Sequence, residues 1–213
     1  MNLQSTYDRI ATHFSETREY AWPEVESFLA DRRGERALDV GCGNGRHAEL
    51  LADHASSVVG IDLSRALLGE AVSRARERGF AETTGFVHGD AAALPVGTDA
   101  IDLAVYVATL HHLSPRGTRI ESLNELARAL RPGGVGLVSA WSTAHDRFDR
   151  EEGFDTTVDW TLPGGETVPR YYHIYAPEEF ATDLAESDLT VVDVDVSSGN
   201  CYGMVRGSGT TKE

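Results

Sequence analysis

The segment LDVGCGNGR, residues 38 to 46, carries Gly41, Gly43 and Gly45 at every second position behind an apolar run and an acid, Asp39. An apolar run that stops at such a turn reads as a strand end, and glycines there let a ligand approach the main chain. Asp62 ends the next apolar run, SVVGID, 21 positions after Gly41. An acid at that place can accept hydrogen bonds from ribose hydroxyls, so the pair predicts a nucleoside site. The spacing argues against a dinucleotide, because the third glycine of that fingerprint falls at Arg46 while Gly45 stands one residue early.

A second set of residues could hold an anion. His13 and Arg18 lie in HFSETR, His111 and His112 in VATLHHL, Arg147 in HDRFDRE, and Arg170, Tyr171, Tyr172 and His173 in PRYYHIY. A guanidinium grips carboxylate or phosphate with two parallel bonds. The rings of Trp22, Trp141, Tyr171 and Tyr172 could take stacked bases. Each has a plainer alternative. Trp22 beside Pro23 also suits a helix anchor, Arg147 sits in a solvated charge run, and RYYHIY could be a strand packing alternate aromatics. His112 lies just beyond the expected end of a strand, where His111 could simply end it.

Strand-like and helix-like segments alternate, which predicts an α/β domain with a mostly parallel, doubly wound sheet. Helices are expected at about 4–14 and 22–32, at 46–54, at 64–79 closed by Gly79, at 119–134 and at 177–187. Strands are expected at 36–41, 57–62, 85–90, 100–108 and 135–141, followed by a closing pair at 189–197 and 200–207 turned at Gly199 and Asn200. Residues 141–176 show little periodicity and read as an insertion on the substrate side.

With 213 residues, one domain over 1–213 is expected, residues 1–33 forming helices or a lid and 34–213 the core. No stretch approaches a membrane span and no leader is apparent, which predicts a cytoplasmic protein without membrane contact. Cys42 and Cys201 are too far apart for a C-x-x-C site, so neither a disulfide nor a bound metal is expected. The formal charge is -15, and Lys212 is the single lysine beside many arginines. Such a surface resembles proteins of salt-rich cytoplasm, where charges are strongly screened. The acidity then reports habitat and leaves a nucleic-acid substrate open, provided arginines are placed locally.

The G-x-G-x-G turn, GIDLS and HGDAAALP resemble the first motifs of class I S-adenosylmethionine methyltransferases. The resemblance implies a Rossmann-like seven-stranded sheet with an antiparallel closing strand. It also implies a cofactor, S-adenosylmethionine, held by Asp39, Gly41, Cys42, Gly43, Gly45, Asp62, Leu63, Asp90, Ala91 and Val107. Outside these motifs, YDRIATHFSETREYAWPEVESFL, VATLHHL and PRYYHIY are similar to the tRNA wobble-uridine methyltransferases, over residues 7 to 203. Those enzymes esterify the carboxylate of 5-carboxymethyluridine in the anticodon loop. On that resemblance the acceptor site draws first on Arg18, His13, His112, Tyr172 and Arg170. The family also works with a small zinc-ribbon activator in a heterodimer, and TGFVHG would be the sheet edge that receives it. Two other readings stay open: a small-molecule methyltransferase, and a noncatalytic subunit that binds S-adenosylmethionine or tRNA.

Overall fold

The computed structural model describes residues 2–208. Helices α1 (Leu3–Glu16) and α2 (Pro23–Leu29) precede β1 (Gly34–Val40), α3 (Arg46–Ala52), β2 (Ala55–Asp62), α4 (Arg65–Arg78), β3 (Thr84–His88) and β4 (Ile101–Val107). After a 3-10 turn, Leu110–His112, come α5 (Arg116–Ala129), β5 (Leu130–Trp141), β6 (Phe154–Thr161), β7 (Thr167–Ile174), α6 (Pro177–Glu186), β8 (Thr190–Ser197) and β9 (Asn200–Arg206). Seven strands form one sheet in the order β3-β2-β1-β4-β5-β9-β8. The first five run parallel and β9 pairs antiparallel with β5, as the resemblance implies.

Local chemistry explains the element ends. Pro23 opens α2, where its missing N–H costs nothing. Ser64 caps α4 by accepting from the Leu67 N–H, and Gly79 ends it in the left-handed region. The sheet is covered on both faces. Tyr106, Leu123, Leu126, Phe180 and Leu184 pack on the α5–α6 side, and Val25, Leu29, Leu51, Val105 and Tyr202 on the α2–α3 side. At about 1.5–3 kcal/mol per large apolar side chain, these two clusters supply the main drive for the layered arrangement. Among the described residues no helix is long and apolar enough to cross a membrane.

Three expectations need correction. Helix α5 stops at Ala129 rather than residue 134, and β5 begins at Leu130. Pro132 disfavours the helical region at the residue before it and cannot donate, so the chain leaves the helix there. The β8–β9 turn is made by Ser198 and Gly199, with φ of 51° and 74°, while Asn200 already pairs with Ser197. Residues 141–176, read as weakly periodic, contain an antiparallel ribbon of β6 and β7. Its one face carries Phe154, Thr156, Val158 and Trp160 opposite Ile174, Tyr172, Arg170 and Val168, an alternation present in FDTTVDWT.

Candidate active site

The strands β1 and β2 end at a cavity of about 420 Å³. Gly41 has φ +69° there, and a Cβ would stand 2.1 Å from the Thr109 hydroxyl, so the packing of Thr109 demands glycine. Gly43 has φ +53° and lines the cavity; a Cβ there would come into ordinary contact with the Phe14 ring, at 3.6 Å. Asp62 fastens this loop: its Oδ2 accepts from the Gly43 N–H and its Oδ1 from the Ser64 N–H, both at 2.8 Å. A carboxylate has about four acceptor positions, so two remain for hydroxyls of a ligand. Burial raises the Asp62 carboxyl, opposed by the N–H groups of Ser64 and Gly43.

Gly41, Cys42, Gly43, Asp62 and Leu63 line the cavity, as do Asp90, Ala91 and Val107 further along its wall. Asp39 and Gly45 do not line it. Gly45 supports the turn at φ +78°, with Ala71 and Phe86 against its Cβ position. Asp39 is 1 % exposed, and neither carboxylate oxygen has a hydrogen-bond partner. Burial and then the Asp62 charge lift it to about 7. The Arg46 charge and the Ala48 N–H act against this rise.

The opposite wall is built by α1, the 3-10 turn and β7. Tyr7, His112, Arg170 and Tyr172 meet there. The Tyr171 carbonyl can only accept, so His112 Nδ1 donates to it at 2.8 Å; His112 Nε2 then accepts from the Tyr7 hydroxyl, also at 2.8 Å. Burial, reinforced by Arg170, holds His112 down at about 4, so this imidazole is neutral at pH 7. His111 Nδ1 accepts from the Trp141 N–H, and burial lowers its pKa as well.

Arg170 is the feature that separates this wall from the rest of the protein. Among the described residues three arginines are buried: Arg74, Arg119 and Arg170. Arg74 pairs with Glu49, and Arg119 with Glu179 and Asp183. Arg170, 8 % exposed, has no acid partner among the described residues and its Nε has no hydrogen bond. Its guanidinium lies 4.8 Å from the Trp160 ring centroid and 5.2 Å from that of Tyr172. A buried cation without a counter-charge is costly unless an anion completes it.

The sequence-predicted acceptor residues separate accordingly. Arg18, His112, Tyr172 and Arg170 all reach the cavity, and Tyr172 and Arg170 are buried there. His13 does not: its Nδ1 accepts from Trp160 Nε1 at 3.0 Å, which fixes α1 to the ribbon. Ribbon alternation turns Tyr171 and His173 to the other face, where both meet Asp155. Arg147 is exposed, its guanidinium 5.7 Å from the ring centroid of Trp141, and does not itself line the cavity. Trp22 and Trp141 line the cavity. Sequence reasoning gave no role to Tyr7, Arg46, Thr109 or Trp160. Period-two alternation in β6 was the signal available for Trp160, and nothing local announced Tyr7.

Residues 37–134 match the family described as a methyltransferase domain. The chain is 33% identical over 173 residues to the tRNA (carboxymethyluridine(34)-5-O)-methyltransferase of Saccharomyces cerevisiae, covering 79% of this chain and 59% of that protein. The first curated relatives are longer, and the chain spans 20% to 59% of their length. A protein of Encephalitozoon cuniculi that bears only the general name of a methyltransferase is 32% identical over 195 residues, 88% of this chain and 86% of its own. In the solved complex of the Haloferax volcanii Trm112 methyltransferase activator with a methyltransferase, the matched chain has 14% identity, a TM-score of 0.73 and full coverage of both chains. That likeness is one of fold.

Proposed function

The chain belongs to the S-adenosylmethionine-dependent methyltransferases, and we propose that it esterifies the carboxylate of 5-carboxymethyluridine at the wobble position of tRNA. The residues at the glycine turn fit the cofactor. The Asp39 carboxylate, buried behind the turn, would favour the cofactor's ammonium group through its charge rather than by contact, and the main chain at Gly43, on the cavity wall, admits close approach. The two spare acceptor positions of Asp62 suit ribose hydroxyls, with Asp90 and Ala91 on the wall beyond. S-adenosylmethionine supplies an electrophilic methyl on a sulfonium.

The observation that carries the acceptor assignment is Arg170, a buried guanidinium without an acid, in the cavity that also holds the glycine turn. A carboxylate is ionised at neutral pH, so it needs no base, only a grip that aligns it and excludes water. The neighbouring imidazoles agree with this. His112, held at about 4, is a poor proton acceptor, and its bonds to Tyr7 and the Tyr171 carbonyl occupy both ring nitrogens. It positions Tyr7 beside Arg170 instead. The names of the Saccharomyces cerevisiae and other relatives support the same acceptor.

Labelled methyl transfer to bulk tRNA, followed by mild base, tests this reading. An ester releases the label as methanol. Label that stays on the RNA, or no transfer to tRNA at all, overturns it, and transfer to a small carboxylic acid in place of tRNA would make the chain a small-molecule enzyme.

A zinc-ribbon activator that adds a strand to β3 belongs to the same proposal. β3 ends the sheet, and its Val87 is 39% exposed. The Thr83 carbonyl and the Gly89 N–H both bond β2. By alternation the main chain of Val87 also faces β2, and that of Phe86 and His88 faces outward. His88→Pro therefore removes an outward donor without breaking the inner ladder. Co-purified activator should be lost while circular dichroism is unchanged; retained partner places the interface elsewhere.

A further inference from the structure

Arg9, Arg74, Arg78, Arg116, Arg119, Arg128 and Arg131 each reach a carboxylate. Acids exceed basic residues by 15 in the whole chain, so partners are abundant. Arg18 and Arg46 nevertheless form no ion pair among the described residues, and both line the cavity. Burial and then the Arg18 charge bring Arg46 down to about 10, and burial and then the Arg170 charge lower Arg18. Asp39 opposes this on Arg46 without a hydrogen bond to it, while Arg74 adds to it.

The contacts of the two guanidinium groups are weak or local. Arg18 Nη1 donates to the Thr17 carbonyl at 3.0 Å, and Arg46 Nη1 to the Tyr20 carbonyl at 3.4 Å. The Arg46 guanidinium lies 5.5 Å from the Trp22 ring centroid, and that of Arg18 5.3 Å from the Trp160 ring. The backbone between them is held in place. Asn44 Nδ2 donates to the Arg18 carbonyl at 2.9 Å and Arg74 Nη2 to the Glu19 carbonyl at 2.5 Å. On this fastened segment Tyr20 is 78% exposed. Two unpaired guanidiniums interleaved with aromatic rings suit a single-stranded polynucleotide, whose phosphates and bases alternate in the same way.

The geometry points to a phosphate subsite formed by Arg46 and Arg18, which takes a backbone phosphate of the RNA beside the nucleoside whose carboxylate Arg170 holds. The inference rests on the tRNA reading above. It makes the rim select a polyanionic acceptor, a task separate from gripping the reacting carboxylate. In an otherwise acidic protein, local cations are what allow an RNA strand to approach.

Fluorescence anisotropy with an anticodon stem-loop RNA, over a series of salt concentrations, tests it. Arg46→Gln should weaken RNA binding about tenfold at low salt and reduce the slope of log K against log salt by about 0.7, the share of one phosphate on a single strand. Arg46→Lys should restore the slope, and calorimetry with S-adenosylmethionine should give parent-like affinity for both variants, which also reports that they are folded. An unchanged slope overturns the subsite. So does a loss of cofactor affinity matching the loss of RNA affinity, because Arg46 would then hold the cofactor's own carboxylate. The two proposals fail differently: a parent chain that makes no base-labile ester on tRNA ends the reading of the acceptor, whereas one that does, paired with an Arg46→Gln slope equal to its own, ends the subsite alone.

Discussion

The two walls of the cavity are made of different material. At the glycine turn the wall is main chain and short acids, drawn from the ends of neighbouring strands: Gly43 and Asp62 are 19 residues apart and joined directly. The facing wall is long cationic and aromatic side chains brought from distant segments. Tyr7 and His112 are 105 residues apart, and His112 and Tyr171 are 59. The first wall can recognise a cofactor with little dependence on side-chain packing. The second owes its specificity to a guanidinium held by rings, so single substitutions there should change chemistry and leave the cofactor alone.

That contrast breaks most visibly at Arg170. Arg170→Gln removes the grip on the carboxylate and should lower single-turnover methyl transfer by about 100-fold or more, with calorimetric S-adenosylmethionine affinity nearly unchanged. Equal losses of both would show that the walls are not independent. Asp62→Ala is the reciprocal change. It removes the ribose acceptor and releases the Gly43 and Ser64 N–H groups, and should weaken the cofactor by about 1 to 3 kcal/mol in calorimetry.

A smaller effect is expected at Asp39, whose carboxyl is raised to about 7 in the folded chain. An acid with a raised folded pKa contributes stability below its unfolded pKa, and that contribution is lost as pH rises through the folded value. Asp39 should therefore contribute a fall in the stability of the ligand-free chain between about pH 4 and pH 7, opposed by carboxyls held low such as Glu125 and Asp155. Asp39→Asn should flatten this fall and raise stability at pH 8 by roughly 2 kcal/mol, while weakening cofactor binding. Thermal melts at both ends of the range, with and without S-adenosylmethionine, measure it; a parent-like pH slope in the variant assigns the fall to other groups. The smallest effect belongs to His13, which touches Trp160 and not the cavity. His13→Phe should change transfer less than about threefold, the scale of one partly exposed hydrogen bond. A larger loss in single-turnover assays would bring His13 into the site.

Legibility in the sequence followed the same division. The strand–turn–helix order, the glycine spacing and the acid at the end of β2 are local signals, and the structure places Gly41, Gly43 and Asp62 on one wall. The turn at Pro132 was legible in principle, but helical periodicity in ELARAL outweighed it. The ribbon was harder, because β6 mixes threonine with apolar residues and its alternation reads clearly only against β7. Arg170 and Tyr172 were identifiable as chemistry but not as neighbours of Tyr7, because that contact depends on where α1 packs. Sequence cannot show which arginines lack acids, since pairings such as Arg116 with Asp183 span distant segments.

The sheet has two unlike ends. β8 sets Asp193 and Asp195 among exposed valines, so copies of that strand repel one another along the edge. β3, TGFVH, carries neither lysine nor acid and turns its outer main-chain groups to solvent. Any self-association of the chain by strand addition is therefore directional, proceeding through the β3 end. At that end the net charge of -15 on the whole molecule, rather than any charge on the strand itself, is what keeps copies apart.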